Sequence, residues 1–199
     1  NKGEINDDCI SWTHVTVDNG ISGNWVIDFE FGFDRIWAIS WSTWQAAESD
    51  GLSYSTDNGQ NWNYIDYFKN IKVYDLNIEN NRIYVSTING LYVSDDGFAW
   101  SKINKPSDEI SGFSISSEKV YSSLYSIENQ LLYVGNDEGL GITSDLGESW
   151  IVYKQDCYGE PFGDALEDEC GVCEGFGIMA GTCDCNGTPP PENYDCDGN

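Results

Sequence analysis

Repetition constrains this chain more than any single residue does. Asp57-Asn58-Gly59-Gln60-Asn61-Trp62, Asp95-Asp96-Gly97-Phe98-Ala99-Trp100 and Asp145-Leu146-Gly147-Glu148-Ser149-Trp150 spell Asp-x-Gly-x-x-Trp three times, 38 and 50 residues apart. A unit recurring at that period cannot bury its own apolar face, so neighbouring units must stack on one another.

The flanks repeat too. Ile78-Glu79-Asn80-Asn81-Arg82-Ile83-Tyr84-Val85 and Gly90-Leu91-Tyr92-Val93-Ser94 precede the second copy. Ile127-Glu128-Asn129-Gln130-Leu131-Leu132-Tyr133-Val134 and Gly139-Leu140-Gly141-Ile142-Thr143-Ser144 precede the third. Arg35-Ile36-Trp37-Ala38-Ile39 and Gly51-Leu52-Ser53-Tyr54-Ser55 form a weaker version before the first, and Asp18-Asn19-Gly20 with Trp25 reads as a decayed earlier copy. Alternating apolar and polar residues broken by Asn, Asp and Gly predict four short strands per unit. In the middle unit these are Val73 to Glu79, Arg82 to Ile88, Gly90 to Asp95 and Ala99 to Asn104. A four-stranded meander at this period predicts a β-propeller blade.

The motif suits a turn between the third and fourth strands. A short Asp carboxylate accepts from turn N–H groups, Gly supplies positive φ, and Trp folds back over the hairpin. On these residues the chain resembles the Asp-box (BNR) repeat, Ser/Thr-x-Asp-x-Gly-x-x-Trp, over about Val17 to Tyr153. Ser55 and Thr143 match its leading hydroxyl, and Val93 departs from it. The resemblance implies a structural role for Ser55, Asp57, Gly59, Trp62, Asp95, Gly97, Trp100, Thr143, Asp145, Gly147 and Trp150. Similar repeats occur in sialidases, other glycoside hydrolases, sortilin-type receptors and photosystem assembly factors, where the box lies away from the active site, so the resemblance does not choose a function.

At about 40 to 45 residues per blade, some 150 residues supply three blades and part of a fourth, whereas propellers close with four to eight. The chain is therefore expected to be a piece of a longer propeller or to need a partner. The expected fold is all-β: a partial propeller of three to four blades over residues 1–154, then a small, mostly irregular module over 155–199. No run approaches the ~18 apolar residues of a membrane span.

Composition changes after Lys154. From Asp156 onward there is no Lys or Arg, and the segment holds eleven of 34 acidic residues and six of seven Cys. Cys157, Cys170, Cys173, Cys183, Cys185 and Cys196 form an even set in a segment too poor in apolar residues for an ordinary core, which predicts disulfides. Six Cys allow fifteen pairings, and spacing does not choose among them. Zinc competes through Cys170-Gly171-Val172-Cys173 and Cys183-Asp184-Cys185, but the second pair is too close, no His follows, and nearby acids disfavour thiolates. Asp168-Glu169-Cys170-Gly171-Val172-Cys173 and Tyr194-Asp195-Cys196-Asp197-Gly198-Asn199 are similar to Cys-rich repeats of secreted bacterial surface proteins, and the first piece to a Cys-Gly-Val-Cys element of extracellular matrix metalloproteases. That resemblance implies a secreted or surface location. Cys9 is left over, free or paired outside the chain.

Asp195, Asp197 and Asn199 alternate as oxygen ligands do at the start of a Ca²⁺ loop, and Asp184 and Asn186 do so once more, without the later bidentate Glu. Calcium is the candidate ion, against simple solvation of an acidic tail, and no other cofactor is called for. The net charge of −25, with nine dispersed Lys and Arg, argues against nucleic acid and anionic membranes. Glycans, extracellular proteins and the remaining blades are the expected partners.

The sialidases resembled here need three clustered Arg, and this chain has only Arg35 and Arg82, each opening a second strand. With His14 the sole His and no Gly-x-Ser-x-Gly, a Ser-His-Asp site has no support. A carboxylate-pair glycosidase stays open, because carboxylates are plentiful and their separation is invisible in sequence. Blade geometry points to the face opposite the Asp turns, where the insertion Trp41 to Asp50 and the long connection Lys105 to Tyr121 are both expected. Trp41 and Trp44 lie outside the repeat pattern; they could stack on a sugar or partner beside the acceptors Glu48 and Asp50, or simply pin the insertion. The expected function is non-catalytic recognition or adhesion at that face with a Cys-rich spacer or attachment tail. The alternative is part of a polysaccharide-active hydrolase.

Overall fold

The computed structural model describes residues 2–5, 10–43, 45, 47–160, 163–192 and 196, with the side chains of 2–5 and 10–13 left aside. The chain divides into two compact units, Asn1–Val152 and Tyr153–Asn199. That division falls two residues before the change in composition after Lys154.

Unit one begins with an antiparallel pair, β1 (Lys2–Ile5) and β2 (Ile10–Thr13), followed by three four-stranded antiparallel meanders. Blade A holds β3 (Trp25–Gly32), β4 (Arg35–Trp41), β5 (Gly51–Ser55) and β6 (Asn63–Tyr64). Blade B holds β7 (Val73–Glu79), β8 (Arg82–Thr87), β9 (Gly90–Ser94) and β10 (Ser101–Lys102). Blade C holds β11 (Val120–Ser126), β12 (Leu131–Asn136), β13 (Leu140–Thr143) and β14 (Ile151–Tyr153). This is a partial β-propeller: β3, β7 and β11 lie innermost and side by side. We call the end at which these three strands begin the upper end.

Two-residue turns close the first hairpins of blades A and B at the lower end. Phe33 and Asp34 have φ of 57° and 55°, and Asn80 and Asn81 have 53° and 56°, the left-handed pair that matches strand twist. The core lies between blades. Trp37, Ile39 and Leu52 of blade A meet Val73, Leu76, Ile83 and Val85 of blade B; Tyr84 and Leu91 of blade B meet Val120, Leu132 and Val134 of blade C. One apolar plug recurs five residues before the Val that precedes an irregularity in each innermost strand's pairing: Ile21, Phe68 and Ile115, before Val26, Val73 and Val120. Each is buried in the cluster that holds its blade's motif Trp or lies against that Trp.

The Asp turns occupy the lower end. In blade A, Asp57 Oδ1 accepts from Gln60 N at 3.0 Å and Asn61 N at 2.9 Å, while Ser55 Oγ accepts from Gly59 N at 2.9 Å. Blade C repeats this with Ser149 N donating to Asp145 and Gly147 N donating to Thr143, each at 2.9 Å. Asn58-Gly59 and Leu146-Gly147 all have positive φ. Trp62 Nε1 donates to Gly59 O, and Trp150 Nε1 to Gly147 O.

Blade B corrects the sequence reading of Asp95. Its turn is one residue shorter, so Ser94 supplies the hydroxyl and Asp96 accepts from Phe98 N and Ala99 N. Asp95 instead pairs with Arg82 at 2.8 Å. Only Gly97 takes positive φ there. Trp100 Nε1 finds no partner among the described residues, and its ring lies 4.8 Å from that of Phe68. Both Arg residues serve these turns: Arg35 donates to Asp96 O and lies over the Phe98 ring at 4.7 Å.

Hydrogen bonds within the turns depress two carboxylates. Asp57 is held at about 2, chiefly by the Asn61 backbone N–H, and Asp145 at about 2, chiefly by the Ser149 hydroxyl. A depressed folded-state pKa gives stability that is present above the ordinary value of 3.8 and lost as pH falls towards 2. The melting temperature of the parent chain should therefore drop between pH 4 and 2. An Asp57→Asn/Asp145→Asn variant should show a shallower drop over that window; equal slopes would mean that the turns do not favour the charged form.

Unit two is held by overlapping disulfides, Cys157–Cys173, Cys170–Cys185 and Cys183–Cys196. All three lie within the segment that the Cys count singled out, and the zinc reading falls because these sulfurs are bonded to one another. Between the bridges one Asp turn recurs. Asp156, Asp168 and Asp184 each accept from the amides two and four residues on, and from each the third residue is a Gly in positive φ. The Asp184/Asn186 alternation is thus a turn, with Asp184 Oδ1 engaged by Asn186 N and Thr188 N. Asp195, Asp197 and Asn199 lie outside the described residues, as does Cys9. Asp195-Cys196-Asp197-Gly198 has the spacing of the same turn. No group of three or more metal-ligating side chains is present among the described residues, and no described helix is long and apolar enough to cross a membrane.

Candidate functional site

All three innermost strands carry a β-bulge at the same place, after Val26, Val73 and Val120. A bulge leaves one residue unpaired and re-aims its side chain. The bulged residues are Ile27, Tyr74 and Tyr121, at the upper end of the blades.

Two of them complete a row of rings. Trp25 meets Trp41 at 5.6 Å between centroids, Trp41 meets Tyr74 at 6.0 Å, and Tyr74 meets Tyr121 at 5.0 Å. The row crosses all three blades. Its ends are open, with Trp25 56% and Tyr121 45% exposed, and its middle is half-buried. Trp41 Nε1 donates to Val73 O at 2.7 Å, which pins blade A to blade B, and Lys72 Nζ sits 4.4 Å from its ring centroid. Burial, then the neighbouring Tyr121, pushes the Tyr74 phenol up.

The insertion above β4 is tied down by its own acids. The Glu48 carboxylate accepts from Thr43 N, Thr43 Oγ1 and Asn24 Nδ2, and Asp50 Oδ1 accepts from Ser42 N at 2.8 Å. Those hydrogen bonds, led by the Thr43 hydroxyl, hold Glu48 below the usual carboxylate range. Glu48 and Asp50, read from the sequence as acceptors for a ligand, thus also shape the loop. Trp44 lies outside the described residues.

The long B-to-C connection departs from its expected face. Its middle descends beside blade C, so Ser107 to Ile110 line a cavity of about 370 Å³ with Thr143, Ser149 and Trp150 at the lower end. Only its return lies above, where Glu138 accepts from Ser116 N, Ser116 Oγ and Ser117 N at 2.6–2.9 Å.

Sequence reasoning missed Tyr74 and Tyr121, although Lys72-Val73-Tyr74 and Lys119-Val120-Tyr121 repeat one tripeptide. The repeat brings cations to the row as well. Lys119 pairs with Asp137 at 3.7 Å, and Lys102 and Lys105 share Glu118 nearby. Rings with open faces beside Lys donors can stack on a sugar face and hydrogen-bond its hydroxyls.

Carboxylates also gather on the innermost strands. Asp75 Oδ2 accepts from Ser123 N at 2.8 Å and Asn77 Oδ1 from Tyr125 N at 3.0 Å, stitching β7 to β11. Burial raises Asp75, and the charge of Asp28 adds to the shift; burial, then Asp28, Glu79 and Asp75, raises Glu30. A buried serine cluster, Ser22, Ser40 and Ser53, has no His beside it; the one His, His14, is exposed.

The chain matches no protein-family model and no curated protein. Among solved structures it is similar to an ancestral GH74 enzyme, at 16% identity and a TM-score of 0.49, over 66% of this chain and 18% of that one. The chain thus spans less than a fifth of that enzyme's length.

Proposed function

We propose that this chain is an extracellular, non-catalytic recognition module that binds a glycan across the upper end of its blades. The observation that carries this reading is the continuous row Trp25, Trp41, Tyr74 and Tyr121, presented by repeated bulges and open at both ends. A contiguous exposed aromatic row of this kind is a surface suited to stacking on a ligand. The disulfide-held tail fits an oxidising compartment and a spacer or attachment role. The resemblance to Asp-box repeats is compatible with this role and does not select it.

The test is a glycan array with the 199-residue chain, followed by titration of the best ligand. Trp25→Ala and Tyr121→Ala should each weaken binding at least about tenfold, while the unfolding midpoint stays nearly constant because both rings are exposed. Unchanged affinity in both variants removes the row from the site.

The carboxylates of the innermost strands favour a second reading, a hydrolase in which Asp75, whose pKa burial raises, donates the proton and Asp28 is the second carboxylate. It requires polysaccharide cleavage that Asp75→Asn abolishes.

A further inference from the structure

We infer that residues 174–182 of the tail are a processing site for an endoprotease with an apolar specificity pocket, and that the tail is built to stay joined after the cut. Phe176 is fully exposed and Met179 is 67% exposed, on a stretch without strand pairing. Among the described residues no hydrogen bond engages the amides of Met179, Ala180 or Gly181, so the chain there is free to enter a protease cleft. Tyr158, another exposed aromatic of the tail, is tied down instead: its amide donates to Asp156 and its hydroxyl to Cys173 O. Composition selects the class of enzyme. With no Lys or Arg from Asp156 onward, a protease that reads basic side chains has nothing to hold, whereas Phe176, Ile178 and Met179 suit an apolar pocket.

What a cut does follows from the pairing of the sulfurs. Cys157–Cys173, Cys170–Cys185 and Cys183–Cys196 overlap across residues 170–173 and 183–185. Every peptide bond from Cys157 to Cys196 therefore lies inside at least one covalent loop, and no single hydrolysis parts the chain. Pairing Cys residues that are neighbours in sequence would have left both of those short links outside any loop. Residues 174–182 lie inside one loop alone, that of Cys170–Cys185. Release after a cut there takes two separate reactions. The protease adds water across one peptide bond, and a dithiol then passes two electrons and two protons to Cys170–Cys185, becoming a disulfide itself. In an oxidising compartment the cut tail stays joined; in a reducing one it comes apart. None of this depends on what the blades bind.

Chymotrypsin, whose pocket is apolar, is the probe. Its first cut in the folded parent should map between Cys173 and Cys183. Phe176→Ser/Met179→Ser should slow that cut at least about tenfold, with the fold kept because both side chains are exposed. The cut parent should have the intact mass plus one water under non-reducing conditions, and dithiothreitol should split it in two. Cyanogen bromide gives an independent cut, because Met179 is the chain's only Met. After it, residues 1–179 and 180–199 should remain joined, with Cys170–Cys185 the sole bridge between them on peptide mapping. A first cut elsewhere, a variant cut as fast as the parent, fragments that part without reductant, or a different bridge overturns the inference.

Discussion

Trp37→Ala should destabilise the blade unit by about 3–5 kcal/mol, the range for deleting a large ring from a closed core. Trp37 is fully buried between blades A and B, its Nε1 donates to Gly32 O at 3.0 Å, and its ring lies 5.6 Å from that of Tyr54. Backbone from two blades surrounds the site, so the cavity cannot collapse without moving a whole sheet. Urea unfolding followed by Trp fluorescence is the measurement, because all eight Trp precede residue 151 and report on unit one. Trp37→Phe should lose roughly half as much. A loss below about 1 kcal/mol for Trp37→Ala would mean that the inter-blade seam is not the main core.

The Cys170→Ser/Cys185→Ser variant should destabilise unit two by about 3 kcal/mol, the chain-entropy value for a loop near 15 residues. The effect is large relative to what remains, since Ala165 alone is buried among the described residues of that unit. Cys170–Cys185 also overlaps both other loops, so its loss uncouples them. Non-reducing mass should show six fewer hydrogens in the parent than in its fully reduced form, and limited proteolysis should cut the variant between Asp156 and Cys196 far faster. Equal protease resistance, or free thiols in the parent, would contradict a disulfide-held tail.

The sequence carried the blade repeat because strand period, left-handed turn pairs and the Asp turn are local, and each is written within about ten consecutive residues. Blade B's turn was misread by one residue for the same reason. Asp95 and Asp96 are adjacent and chemically identical, and only the shorter chord from Ser94 to Ser101 assigns Asp96 to the amides and Asp95 to Arg82. The aromatic row was half legible: Trp41 stood out as an extra Trp, while Tyr74 and Tyr121 looked like ordinary strand residues until the bulges turned them.

The tail followed a similar division. Six Cys and almost no apolar residues required crosslinks, but the choice among fifteen pairings depended on which sulfurs the Asp-x-x-Gly turns bring together. Likewise the acids of the insertion could be counted but not assigned, and Glu48 became a loop clamp only where Thr43 and Asn24 converge on it. By itself, then, the sequence determined the repeating unit, the class of fold and the need for disulfides, because these depend on periodicity and composition along the chain. Only the tertiary structure decided which rings share a surface and which carboxylates are engaged, because those depend on residues up to 48 positions apart meeting across a loop, a sheet or two blades.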